Sequence, residues 1–213
     1  MPREGPPPYR CATFRNRDSG HRHRMIDVAL QLLARQLNQH LRQRLGADED
    51  MVVLSNLLEQ SGGPVPLAQH KLVLFLAGIE RDTLAHRAAQ PAGLQQRLQT
   101  PEPVYLNLLM MCAANFSGTN YSEALKCLSG AIAFFQARPV LDHQNCPDMD
   151  GTLDRLTLNI ENLSSAEMHS LWAIHSGRYL PSVLYRVRLV SLDGQWARGR
   201  DIVIGQTDVR GLS

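Results

Sequence analysis

Lysine is almost missing from this chain: of its 22 basic residues, only Lys71 and Lys126 are not arginine. GC-rich coding would produce that bias, and so would a surface made for wet, planar protein contacts, which arginine serves well. Cysteine is scarce and scattered. Cys11, Cys112, Cys127 and Cys146 form no C-x-x-C pair, and Cys112 and Cys127 lie in apolar runs, as reduced, core-filling thiols do. A reducing cytoplasm fits that usage. No apolar run reaches the ~18–20 residues a membrane helix requires. The N-terminus is rich in proline and arginine and has no apolar stretch of a secretory signal. Also absent are G-x-x-x-x-G-K, G-x-G-x-x-G and G-x-S-x-G, so no cofactor is expected.

What is present is ordinary for a soluble globular protein: 44% apolar and 20% charged residues in 213, enough to bury a proper core. The formal charge of +2 is unevenly spread. Residues 1–24 hold Arg3, Arg10, Arg15, Arg17, Arg22 and Arg24 against Glu4 and Asp18, which leaves the remainder slightly acidic. That remainder is too balanced for an obligate nucleic-acid binder. The first 24 residues have too few large apolar side chains to fold alone and read as a disordered basic arm. Either the arm binds something acidic, or Met25 is the true start. The second reading is preferred, because Met25 begins a convincing helix.

In that helix Ile26, Leu30, Leu33, Leu37, Leu41 and Leu45 recur at threes and fours, with Gln31, Arg35, Asn38, Arg42 and Gln43 on the other faces and Gly46 as the stop. A strand over Met51–Leu58 follows. Lys71–Ile79 is a nearly continuous apolar run, the mark of a strand covered on both faces. Residues 82–100 form a polar connector whose state the pattern leaves open. Val104–Ala114 reads as a strand, although its length would also permit a buried helix. Asn120 with Glu123 opens a helix whose expected buried stripe is Tyr121, Leu125, Leu128, Ile132 and Phe135, closed by Pro139.

A polar loop, residues 141–151, leads into the most structured wording of the chain. Leu156, Leu158 and Ile160 alternate with polar residues as in a half-buried strand. Ser164 and Glu167 make a capping box, Met168, Leu171 and Trp172 share one helix face, and Gly177 and Pro181 end the helix. Val183, Tyr185, Val187 and Leu189 then alternate in a strand with Arg186 and Arg188 on its other side. Asp201–Thr207 gives a short last strand. This order predicts an α+β fold: a mixed, mostly antiparallel sheet packed with about three helices.

Chemistry-bearing groups gather only at residues 142–150, where Asp142, His143, Cys146, Asp148 and Asp150 fall short of a zinc or calcium ligand set. Turn chemistry accounts for the aspartates, so no metal is expected. A Cys146–His143 nucleophile pair has no identifiable orienting group or oxyanion hole, so no catalytic residue is assigned. Trp172 and Tyr179 flank a tight helix stop, where aromatics usually fill core; with Arg178 between them they also have the composition of interface anchors.

Three blocks carry a family likeness: MIDVALQLLARQLNQHL, VYLNLLMMCAANFSGTNYSEALKCLSGAIAFFQARPVLDHQN and LTLNIENLSSAEMHSLWAIHSGRYLPSVLYRVRLV. Residues Met25–Val190 resemble the N-terminal domain of the tail-terminator, or cap, proteins of extracellular contractile injection systems. The likeness divides the chain into the arm 1–24, a tail-terminator domain 25–192 and a C-terminal strand and tail 193–213. One departure is Ile174–His175–Ser176, where the family tends to a smaller leucine–glycine-like turn. Larger members carry further C-terminal domains.

The resemblance implies a structural role without an enzyme's chemistry. It implies a homohexameric ring that ends tube and sheath polymerisation at the distal end and joins the two layers. The implied partners are sheath and inner-tube subunits, with no nucleic acid and no membrane, and assembly in the cytoplasm. Candidate contact residues are Trp172, Arg178 and Tyr179, together with Ile202, Val203 and Ile204 of a strand that adds to the last sheath ring or pairs within its own sheet. The competing readings are a tube or baseplate adaptor of the same particle, a small hydrolase using Cys146 and His143, and an arm-borne nucleic-acid binder.

Overall fold

The computed structural model describes residues 25–46, 48–82, 104–175 and 179–191. The arm, most of the 82–100 connector, Gly177, Arg178 and the segment with Ile202, Val203 and Ile204 lie outside them. Among the described residues, three helices and six strands follow in order: α1 (Met25–Leu45), β1 (Val52–Leu54), β2 (Lys71–Arg81), β3 (Val104–Asn115), α2 (Tyr121–Ala137), β4 (Val140–Asp142), β5 (Leu153–Ile160), α3 (Ser165–Ile174) and β6 (Ser182–Ser191). The strands form one sheet in the order β1-β2-β3-β6-β5-β4, antiparallel throughout except for the parallel pair β1 and β2. The expected mixed α+β architecture is the one observed.

The sheet carries a core on each face. Register explains the division, because successive strand residues point to opposite sides. Leu72 and Leu74 of β2, Leu108, Met110 and Cys112 of β3, and Tyr185, Val187 and Leu189 of β6 meet the buried faces of α1 and α2. Val73, Phe75, Met111, Ala113 and Leu184 point the other way, under α3 and the crossover between β1 and β2. The four consecutive buried residues Leu72–Phe75 therefore bear out a strand covered on both faces, over the first half of β2. Its second half bends at a bulge between Leu76 and Gly78 and leaves Ile79 half exposed.

Several expectations need correction. The first strand shrinks to Val52–Leu54, and Leu58 makes only an isolated bridge with Pro64. Part of the expected 141–151 loop is β4, whose Leu141 pairs with Leu156 and fills the main core. Of the expected stripe on α2, Leu128 and Phe135 are buried and Ile132 partly so, but the buried face also takes in Ala124, Cys127, Gly130, Ala131 and Phe134 and leaves Tyr121 and Leu125 out. Close packing on α1 causes the rotation. A Cβ on Gly130 would sit 2.8 Å from Leu41 Cδ2, so the small residues mark the contact. Tyr121 and Leu125 are consequently exposed, and so is Leu45. Asn120 makes no side-chain cap; Glu123 instead pairs with Lys126 at 2.8 Å.

The stop of α1 and the capping box of α3 are as expected. Gly46, with φ of 65°, ends α1 with its N–H on the Arg42 carbonyl, a conformation that costs glycine little. Ser164 and Glu167 complete the capping box of α3 in both directions. Arg186 and Arg188 do face away from the main core, and they organise the second face. Arg186 bridges Glu80 of β2 and Glu161 after β5, while Arg188 Nε lies 2.6 Å from Asp82 Oδ2. These pairs link β6 to the ends of β2 and β5, reaching across β3, on the side that α3 leaves to polar residues.

Candidate interaction surface

Only Trp172 of α3 is fully buried, at 3% exposure, and Met168 and Leu171 lean partly onto the same second core. The Trp172 ring meets Tyr179 edge-on, with centroids 5.7 Å apart, and His175 at 6.0 Å; His175 in turn stands 4.8 Å from Phe75. Tyr179 is 61% exposed and covers Trp172 from outside. Of the candidate contact residues within the described chain, Tyr179 is therefore the one that presents its ring to solvent. Ile174, at 82% exposure, ends α3 five residues before it.

The loop after β4 spends its polar groups on its own turns. Asp142 Oδ1 accepts the N–H groups of Gln144 and Asn145, and Asp150 Oδ1 accepts from Thr152 N and Oγ1. His143 Nε2 donates to the Leu153 carbonyl at 2.8 Å. Cys146 is buried, and burial is the main cause that pushes its thiol pKa up, which disfavours the thiolate. Cys112 is pushed up to about 12 by the same cause. Among the described residues no group of three or more His, Cys, Asp or Glu is placed to hold a metal ion.

On the opposite layer, the C-terminal turn of α1 and the first turns of α2 enclose a shallow groove. Arg44, Leu45, Leu125 and Lys126 line it, above Gly130. Sequence reading missed this feature because it assigned Leu45 and Leu125 to the core. The signal was present in the small residues of α2, which mark the closer helix–helix contact.

His40 lies deeper in the same seam. Its ring is 5.0 Å from Phe134, and its Nε2 is out of water with no hydrogen-bond partner among the described residues. Burial first, then the positive charges of Arg44 and Arg138, lower its pKa. The unfolded chain therefore takes up this proton at a higher pH than the folded one. Stability from this site is fully present above the usual histidine pKa of about 6.5 and declines as pH falls from there towards the folded-state value. His40→Phe should flatten that decline. Urea midpoints of both proteins between pH 7 and 5 would show the difference, and parallel curves would refute it.

The fold has solved counterparts. The sheath/tube terminator of an extracellular contractile injection system, PVC, in its extended state superposes with a TM-score of 0.54 at 16% identity, over 88% of this chain and 62% of that one. The tube-terminating cap of the anti-feeding prophage reaches a TM-score of 0.44 at 16% identity, over 84% of this chain and 58% of that one. The chain thus spans less than two thirds of the length of either. No curated protein matches it. The model of the Pvc16 N-terminal domain matches residues 29–203, most of the chain and both of its cores, and the protein belongs to that family.

Proposed function

We propose that the chain is a non-enzymatic tail-terminator subunit that assembles as a homohexameric ring, caps the tube and sheath of a contractile injection particle and joins the two layers. The family match over residues 29–203 carries this reading. The terminator fold supports it, since the solved counterpart is itself a sheath/tube terminator. Stacked rings with head-to-tail interfaces grow without limit, so a terminator must match the growing face on one side and present no such face on the other. That task needs shape and surface chemistry. The site with nucleophile-type residues supports the same reading, because the Cys146 thiol is buried and His143 is spent on a backbone carbonyl. Assembly in the cytoplasm accords with the three buried free thiols Cys112, Cys127 and Cys146. Tyr179, seated on the buried Trp172, forms one candidate contact with the particle together with Arg178, and Ile202, Val203 and Ile204 form another.

The test is the mass of the full chain in solution, alone and then mixed with tube and sheath subunits of its particle. A hexamer, or a monomer that closes into a ring at polymer ends and shortens the polymers, is expected. A monomer that leaves the length of both polymers unchanged would sink the reading.

A further inference from the structure

Leu67, Tyr121 and Tyr179 are among the most exposed large apolar residues of the described chain, and they come from three separate segments. The sheet register brings them to one end. Lys71 opens β2 opposite Asn115, the last residue of β3, and Ala113 of β3 lies opposite Ser182, the first of β6. Leu67 stands in a short turn of helix just before β2, and Tyr121 in the first turn of α2, just after β3. Tyr179 precedes β6 by three residues, and the Pro181 carbonyl between them accepts from Ala114 N. Leu67 is 72% exposed and Tyr121 59%.

Hydrogen bonds hold the turns of this end together. Asn115 Nδ2 donates to the Ala68 carbonyl, and the Asn115 carbonyl accepts the His70 N–H, each at 2.8 Å. The His70 ring stands edge-on to Phe116, with centroids 6.3 Å apart, and its Nε2 lies 3.5 Å from Ser117 Oγ. His70 has a φ of 55°, a left-handed backbone that glycine takes freely and histidine seldom does. The fold therefore keeps an imidazole at this end against a local cost.

Charge separates this end of the sheet from the other. Residues 64–71, 113–122 and 175–182 contain no Asp or Glu, and their charged side chains are Lys71 and Arg178. Glu123, the next acid along α2, is paired with Lys126. At the far end of the same strands Asp82 follows β2, Asp142 ends β4 opposite Arg155, and Asp148, Asp150 and Asp154 lie in the loop before β5 and at its start. Ile79 is the half-exposed large apolar residue nearest to that end among the described residues. Aromatic and apolar groups with acids depleted are the make-up of an interface core. The sheet edges are poorer places to dock. Asn38 bonds the N–H and C=O of Val52 in β1, and Asn145 accepts the Asp142 N–H and donates to the Val140 carbonyl of β4. Side chains thus already answer outward backbone groups of both edge strands.

We propose that this acid-free end, with Leu67, His70, Tyr121 and Tyr179, is the face that docks on the last ring of the inner tube, against an apolar tube surface edged with carboxylates. This rests on the terminator reading above and names the face that does the capping. Lys71 and Arg178 supply the opposite charge to that edge. The segment with Ile202, Val203 and Ile204 is the candidate for the sheath, which leaves this end for the tube. The far end of the chain shares the tube's carboxylates without its apolar groups, so a second ring finds no equivalent surface there and growth stops.

Leu67→Glu and Tyr121→Glu each place a carboxylate in this face. Both side chains are exposed, and glutamate suits the first turn of a helix, so both variants should keep urea midpoints near that of the wild type. Ile79→Glu is the control at the far end. On tubes assembled from tube subunits alone, the wild type and Ile79→Glu should bind the ends and stop growth. Each face variant should bind about tenfold more weakly or worse. Wild-type binding should also weaken as salt rises, because opposite charges meet across the contact. Face variants that fold and cap tubes as the wild type does, or that lose sheath binding and keep tube binding, would overturn the docking face and leave the terminator reading standing. Wild-type rings that stack on one another would do the same. A wild-type chain that ignores both tube and sheath would overturn both.

Discussion

Trp172→Ala should lower the stability of the folded chain by about 3–5 kcal/mol, the cost of emptying a large aromatic site in a packed core. The argument is local. Trp172 is the only fully buried residue of α3, so that helix docks on the sheet chiefly through one side chain. Its neighbours in the second core are Val73, Phe75, Met111 and Leu184, rigid strand residues with little room to collapse into the cavity. The Tyr179 ring, which lies against the indole, would lose its support at the same time.

Trp172→Phe separates packing from polarity. The indole Nε1 is buried without a hydrogen-bond partner among the described residues, so phenylalanine removes an unanswered donor while keeping most of the apolar volume. That variant should lie within about 1.5 kcal/mol of the wild type. Urea unfolding of the three proteins reads both effects. An alanine variant that is fully stable yet no longer assembles would make Trp172 an interface anchor and not a core residue.

The strands were legible because their side-chain period is strict. β6 alternates as Tyr185, Val187 and Leu189 against Arg186 and Arg188, and the register places the first set in the main core. Leu72–Phe75 announced a doubly covered strand by having no polar alternation at all. The capping box of α3 was legible because two short-range hydrogen bonds define it. Helix faces were read less well. In α2 the pattern of large apolar residues places Leu128, Ile132 and Phe135 on the core but also points to Tyr121 and Leu125, whereas helix–helix distance is set by the smallest residues at the contact, and Gly130 and Ala131 turn those two out to solvent. The strand β4 was hidden because three residues with one inward leucine carry no periodicity. The groove followed from the same error about α2, so a reading of small residues would have found it.

Asn38 is the clearest case of a structural role that periodicity conceals, since it falls on the polar side of α1 and looks like solvent cover. Its side-chain amide instead acts as a short piece of strand. Nδ2 donates to the Val52 carbonyl and Oδ1 accepts from the Val52 N–H, each at 2.8 Å. Met51 and Ser55 turn their backbone groups to β2, through Leu72 N to Met51 O and Ser55 N to Leu74 O, so Val52 faces outward from the sheet. Asn38 therefore answers both backbone groups of an edge strand only three residues long and fastens α1 to it.

Asn38→Leu should cost about 2–4 kcal/mol, because it removes both bonds and leaves a part-buried N–H and C=O unanswered. Asn38→Asp should lose less at the N–H, which a carboxylate still accepts, but its carboxylate would face the Val52 carbonyl, so it should not restore the wild-type value. Freed backbone groups at a sheet edge also invite pairing with other chains. The leucine variant should accordingly aggregate on warming at concentrations the wild type tolerates. Urea midpoints and light scattering measure the two consequences. A leucine variant as stable and as soluble as the wild type would mean that water replaces the amide at little cost and that other contacts hold α1 on the sheet.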